Sequence, residues 1–96
     1  MSPEKKNKLN KLRKQLDKLD ILFIKLIKKR TNIVKKVLLL KEYKSQIVDR
    51  KRIKIILKEI RKKSLKNKID PAITNRIWKN MIWSYINFEK KNFKKK

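Results

Sequence analysis

Residues 9 to 41 read LNKLRKQLDKLDILFIKLIKKRTNIVKKVLLLK, and the fold turns on whether they make one helix or several. Leu9, Leu12, Leu16, Leu19, Phe23, Leu26, Arg30, Ile33, Val37 and Leu40 recur in alternating steps of three and four, the spacing that lines side chains along one helical face. Ser2 and Pro3 suit an N-cap and a first helical position, and no Pro or Gly interrupts the chain before Pro71. The pattern predicts a single helix from the first turn to about residue 43. At about 1.5 Å per residue it would be on the order of 60 Å long, far beyond the width of a compact domain of this size. Its apolar seam, which includes one arginine, therefore calls for a second chain.

Working outward, KSQIV (44–48) loses the periodicity and makes a first connection. Asp49 reads as the N-cap of a second helix with Ile53, Ile56, Leu57 and Ile60 on its apolar side, closed by SLKNKI (64–69). Asp70 and Pro71 repeat the cap-then-proline signal and open a third helix to about Lys91. Its expected buried side is Ile73, Ile77, Trp78, Met81, Ile82, Tyr85 and Ile86. The fold class is all-α: one domain over residues 1–96, three helices, no strand and no internal repeat. A basic tail, KKNFKKK (about 90–96), is expected to be frayed and solvated.

Composition narrows the function. The absence of Cys and His removes thiol nucleophiles, thiolate and imidazole metal ligands, disulfides and mechanisms built on an imidazole base. Gly is also absent, so neither a phosphate-cradling P-loop nor a dinucleotide-binding turn can be built in the usual way. No metal or cofactor is expected. Residues 1–8 contain no signal-like apolar run, and no stretch is apolar for long enough to span a bilayer, so a soluble, cytoplasmic protein is expected.

Lys and Arg number 32 against 8 Asp and Glu, a formal net charge of +24 that would ordinarily point to nucleic acid or an anionic membrane. Lys, Ile and Asn together dominate the chain, however, as A+T-rich coding would make them. The six arginines therefore carry more information than the lysines. A basic helical dimer that binds nucleic acid would gather its charge into one stripe, with aromatics placed for stacking. Here lysines occupy all polar faces, and Trp78 and Trp83 fall on the expected core face. No specific nucleic-acid or membrane partner is expected.

Arg30 and Lys41 are within about 20° of three full helical turns of each other and about 16 Å apart along the axis, so long side chains from both reach one small anion. Arg13, about 25 Å from Arg30 along the helix and turned by about 100°, serves such a site only from a partner chain. Arg52 follows the cap Asp49 by three residues, placing a guanidinium beside free backbone N–H groups at a helix start. In MIWSYINFE (81–89), Glu89 closes the stripe of Trp78, Ile82 and Tyr85, so its carboxylate is either frayed into water or held for a purpose. Plainer readings stand beside these. Arg30 sets helix register by pairing with an acid, Arg13 pairs with Asp17, Lys41 and Arg52 are solvated, and Glu89 pairs with Lys90 or Lys91. Their joint occurrence at these spacings favours a pocket for a small dianion.

Residues 9–41 are similar to the opening helix of the all-helical (type II) chorismate mutase family, whose L-R-x-x-I-D-x-I-D start is followed by an arginine and a lysine at the spacings found here. IWKNMIWSYINFE (77–89) resembles the closing helix of a branch that also includes the isochorismate pyruvate lyases. The resemblance implies an intertwined homodimer of three-helix chains that converts chorismate to prephenate in phenylalanine and tyrosine biosynthesis. It also implies that Arg13 comes from the partner, that Arg30 holds a substrate carboxylate and that Arg52 supports the loop and carboxylate region. Lys41 would face the ether oxygen, with Asp49, Ile53, Ile82 and Tyr85 around the substrate. Glu89, from its place on the apolar stripe, is expected as a second donor to that oxygen, protonated at least in the complex. Many family mutases carry Glu where this chain has Ile53, and at the position of Glu89 many relatives carry Gln and some carry Glu. An apolar residue at the Ile53 position also fits the lyase, which forms salicylate and pyruvate from isochorismate.

Overall fold

The computed structural model describes residues 1–94. Three helices, α1 (Pro3–Leu40), α2 (Arg50–Lys66) and α3 (Pro71–Asn92), account for most of them, with a single 3-10 turn, Lys44–Gln46, between the first two. There is no strand among the described residues, and no described helix is long and apolar enough to cross a membrane. The chain divides into two compact units, Met1–Ile33 and residues 34 onward.

The first unit is helix from Pro3. Ser2 opens it with both of its oxygens, its carbonyl accepting from Lys6 N–H and its hydroxyl from Lys5 N–H, and Glu4 places a negative charge in the first turn. The seam residues Leu12, Leu16, Leu19, Phe23, Leu26 and Ile33 are all exposed, as are Ile21, Leu22, Ile24 and Ile27. Residues 21–27 are thus apolar on nearly every side and uncovered within the chain.

In the second unit, Leu38, Ile47 and Ile86 form the buried core, with Val48, Ile53, Ile82 and Phe93 packed against it. α2 lies against α3. The inward side of α2 is the one its periodicity predicts, Ile53, Ile56, Leu57 and Ile60, and it ends on buried Ser64. The Ser64 hydroxyl donates to Ile60 C=O at 2.6 Å and lies 2.7 Å from Thr74 Oγ1, a polar pin between the two helices. The turn between them closes by Ile69 N–H to Ser64 C=O and Lys68 N–H to Leu65 C=O, the Schellman pattern, with Lys68 at φ 57° where glycine is usual. Asp70 then caps α3 by accepting from Ala72 N–H at 2.9 Å, ahead of Pro71 at the first helical position.

Four expectations need correction. α1 ends at Leu40 rather than near 43, because the Gln46 side chain takes the N–H groups of Glu42 and Tyr43. Ile73 and Ile77 are exposed because the inward side of α3 starts at Thr74, opposite Ser64, and continues through Trp78, Met81 and Ile82. Trp83 is exposed, so one of the two tryptophans lies off the core face. The expected tail is helical through Asn92, and Phe93 packs against the core; only Lys95 and Lys96 of it lie outside the described residues.

Candidate active site

The segment between α1 and α2 sets the site. Lys41, the first residue past α1, donates its N–H to Leu38 C=O at 3.1 Å, a tightened last bond that stops the helix. The amide oxygen of Gln46 accepts from Glu42 N–H at 2.7 Å and from Tyr43 N–H at 2.9 Å. Ile47, 3% exposed, then fastens the segment to the core. Asp49 starts α2 by accepting from Arg52 N–H at 3.0 Å. That local chemistry sets Lys41, Gln46, Asp49, Arg50 and Lys51 along the lining of one open groove of about 700 Å³.

Across from Lys41 stands Glu89. Lys41 Nζ donates to Glu89 Oε1 at 3.1 Å, with the lysine side chain 20% and the glutamate 8% exposed. α3 continues past Glu89 to Asn92, so the acid is held rather than frayed, and its partner lies 48 residues away in sequence instead of at Lys90 or Lys91. The other ion pairs among the described residues, Glu4–Lys8 and Glu59–Lys62, are exposed local helix pairs. Arg13 and Asp17 do not form the pair their spacing permits. Within this pair the carboxylate acts as acceptor. The ammonium has two further N–H donors, so Lys41 can hold a ligand oxygen while still engaged.

The remaining expected residues divide as follows. Arg13 and Arg30 lie on α1 in the first unit, both exposed. Arg52 is exposed in the first turn of α2, tied through its backbone to Asp49. Ile53 and Ile82 are half-buried against the core, and Tyr85 is half-buried on α3 one turn before Glu89. Gln46 was not singled out from the sequence. Its signal is a capping-box spacing, Gln three residues after the cap of the 3-10 turn, disguised because that cap is Tyr43 rather than Ser or Thr. A second groove, about 650 Å³ beside Arg61, Asp70 and Thr74, contains none of the expected residues.

The sequence family described as chorismate mutase type II matches the chain over residues 12–90. No curated protein and no solved structure matches it.

Proposed function

The chain belongs to the chorismate mutase type II family, whose activity is an isomerisation of a small molecule, and from that membership we propose that it rearranges chorismate to prephenate, a step toward phenylalanine and tyrosine. One C–O bond breaks as one C–C bond forms within a single molecule, with no proton or electron exchanged. Such a step needs a compact reactive conformer and charge stabilisation at the departing ether oxygen. The arginines suit the first task, since a guanidinium fork grips a carboxylate in two places. In this reading Arg30, Arg52 and the partner's Arg13 hold the two carboxylates of the substrate within a homodimer.

The observation that carries the reading is the Lys41–Glu89 pair, 3.1 Å apart and largely buried, the lysine facing an open groove. Lys41 supplies a charged donor to the ether oxygen. Glu89 supplies a second only when protonated, because an ionised carboxylate can only accept. Asp49, Ile53, Ile82 and Tyr85 would shape the surrounding wall.

One observation favours the lyase as a second reading: Ile53 packs into the core, so position 53 offers no polar group for a ring hydroxyl. Incubation of the purified protein with chorismate and, separately, isochorismate decides between them. Prephenate from chorismate at a substantial rate supports the mutase. Salicylate and pyruvate from isochorismate, with little prephenate, would replace it with the lyase. Inertness toward both, combined with binding to nucleic acid that falls steeply with salt, would reject enzymatic function altogether.

A further inference from the structure

We propose that Gln46 is a positioning residue for Lys41: one neutral amide oxygen fixes the backbone that carries the lysine and so aims its ammonium. The inference rests on the mutase reading for its kinetic consequence and on the loop geometry for the clasp itself. Lys41 sits at a helix end, where the backbone ordinarily frays. The N–H groups of Glu42 and Tyr43, the next two residues, have lost the helical carbonyls they would reach if α1 continued. Both go instead to Gln46 Oε1, at 2.7 and 2.9 Å.

Gln46 is itself immobilised from both sides. Its own N–H donates to Tyr43 C=O at 3.0 Å, and Ile47 N–H donates to Lys44 C=O at 3.1 Å. The following side chain, Ile47, is buried in the core with Leu38 and Ile86. A short mechanical path therefore runs from the core through Ile47 and Gln46 to the backbone beside Lys41. The other end of the lysine is held at 3.1 Å by Glu89, a buried residue of α3. Without the clasp, the backbone following Lys41 would be unfastened, leaving the lysine held by its own N–H bond to Leu38 C=O behind it and by Glu89 at its tip.

The residue type also fits. Gln46 lines the same groove as Lys41. A carboxylate there would accept the same two hydrogen bonds but add negative charge where a dianion must bind. An apolar residue of similar length would leave two N–H groups without their acceptor.

Three proteins test the proposal: wild type, Gln46→Met, which keeps the length and removes the acceptor, and Gln46→Glu, which restores it. Steady-state kinetics with chorismate, amide hydrogen exchange at Glu42 and Tyr43, the NMR signal of the Lys41 side chain and a thermal melt are measured on each. In Gln46→Met both amides should exchange faster, and kcat should fall about tenfold or more while KM stays within about twofold. Its melt should remain cooperative. Gln46→Glu should restore amide protection and kcat, its extra charge appearing as a raised KM. Wild-type kcat in Gln46→Met despite faster exchange would overturn the positioning role, and unchanged exchange would overturn the clasp. A wild-type chain inert toward chorismate would sink the mutase reading instead. The clasp would then be judged by the Lys41 signal, which should shift in Gln46→Met and return in Gln46→Glu, and a signal identical in all three would overturn it.

Discussion

Glu89 is an acid with 6% of its surface exposed in a chain carrying 32 cationic side chains, and it pairs with the lysine the proposed chemistry needs. Its place on the apolar stripe was legible from the 3.6-residue period. Its partner was not, because nothing local connects residues 48 apart. As an ionised acceptor Glu89 would repel the departing oxygen. As a protonated donor it would help it. In Glu89→Gln the amide oxygen still accepts from Lys41 and the amide N–H₂ can donate to the departing oxygen, so kcat should be kept or raised, whereas Glu89→Ala, which removes both, should lower kcat about tenfold or more. Equal kcat in wild type, Glu89→Gln and Glu89→Ala would remove Glu89 from the donor role. Arg13, Arg30 and Arg52 illustrate the opposite balance. Helical spacing placed them, but assigning each to a carboxylate rests on the family.

At the scale of elements, the starts of α2 and α3 were legible to the residue because Asp49, Asp70 and Pro71 act on backbone groups within their own turn. The end of α1 depended instead on Gln46 reaching back, and the exposure of Ile73, Ile77 and Trp83 on which part of a broad apolar surface meets α2. Lys68 holds the left-handed position of the α2–α3 turn at φ 57° in a chain without glycine. A side chain with a Cβ there costs about 1 kcal/mol or more, partly offset by the unfolded-state freedom that glycine adds. Lys68→Gly should therefore raise stability by about 0.5–1 kcal/mol, read as a higher urea midpoint at unchanged slope. A lower midpoint would show that the lysine makes compensating contacts. Ser64→Ala breaks the 2.7 Å contact with Thr74 in a buried setting and should lower stability by about 1 kcal/mol. Thr74 Oγ1, freed of Ser64, can donate to Pro71 C=O instead, so a loss well above that would mean the pin does more than join α2 to α3.

For the whole molecule, the heptad seam calls for a partner, and Leu12, Leu16, Leu19, Phe23 and Leu26 along it are exposed in the single chain. Exposed apolar side chains scattered singly need no explanation. A helix uncovered on nearly every side through residues 21–27 does, since such a helix is ordinarily buried. A second copy of the chain is the occupant proposed with the mutase reading, and it carries a consequence that a simple side-by-side dimer lacks. If each site combines its own Lys41 with the partner's Arg13, then Arg13→Ala and Lys41→Ala are each nearly inactive alone but complementary together. In a mixed dimer, the site on the Arg13→Ala chain has its own Lys41 and receives Arg13 from the other chain, while the second site lacks both. Random pairing on co-refolding makes half the dimers mixed, each with one working site of two, so activity should recover to about one quarter of wild type. Recovery no greater than the sum of the two variants alone, with dimer exchange verified by mass, would place all the essential groups of a site on one chain. It would also leave the apolar side of α1 to a different partner.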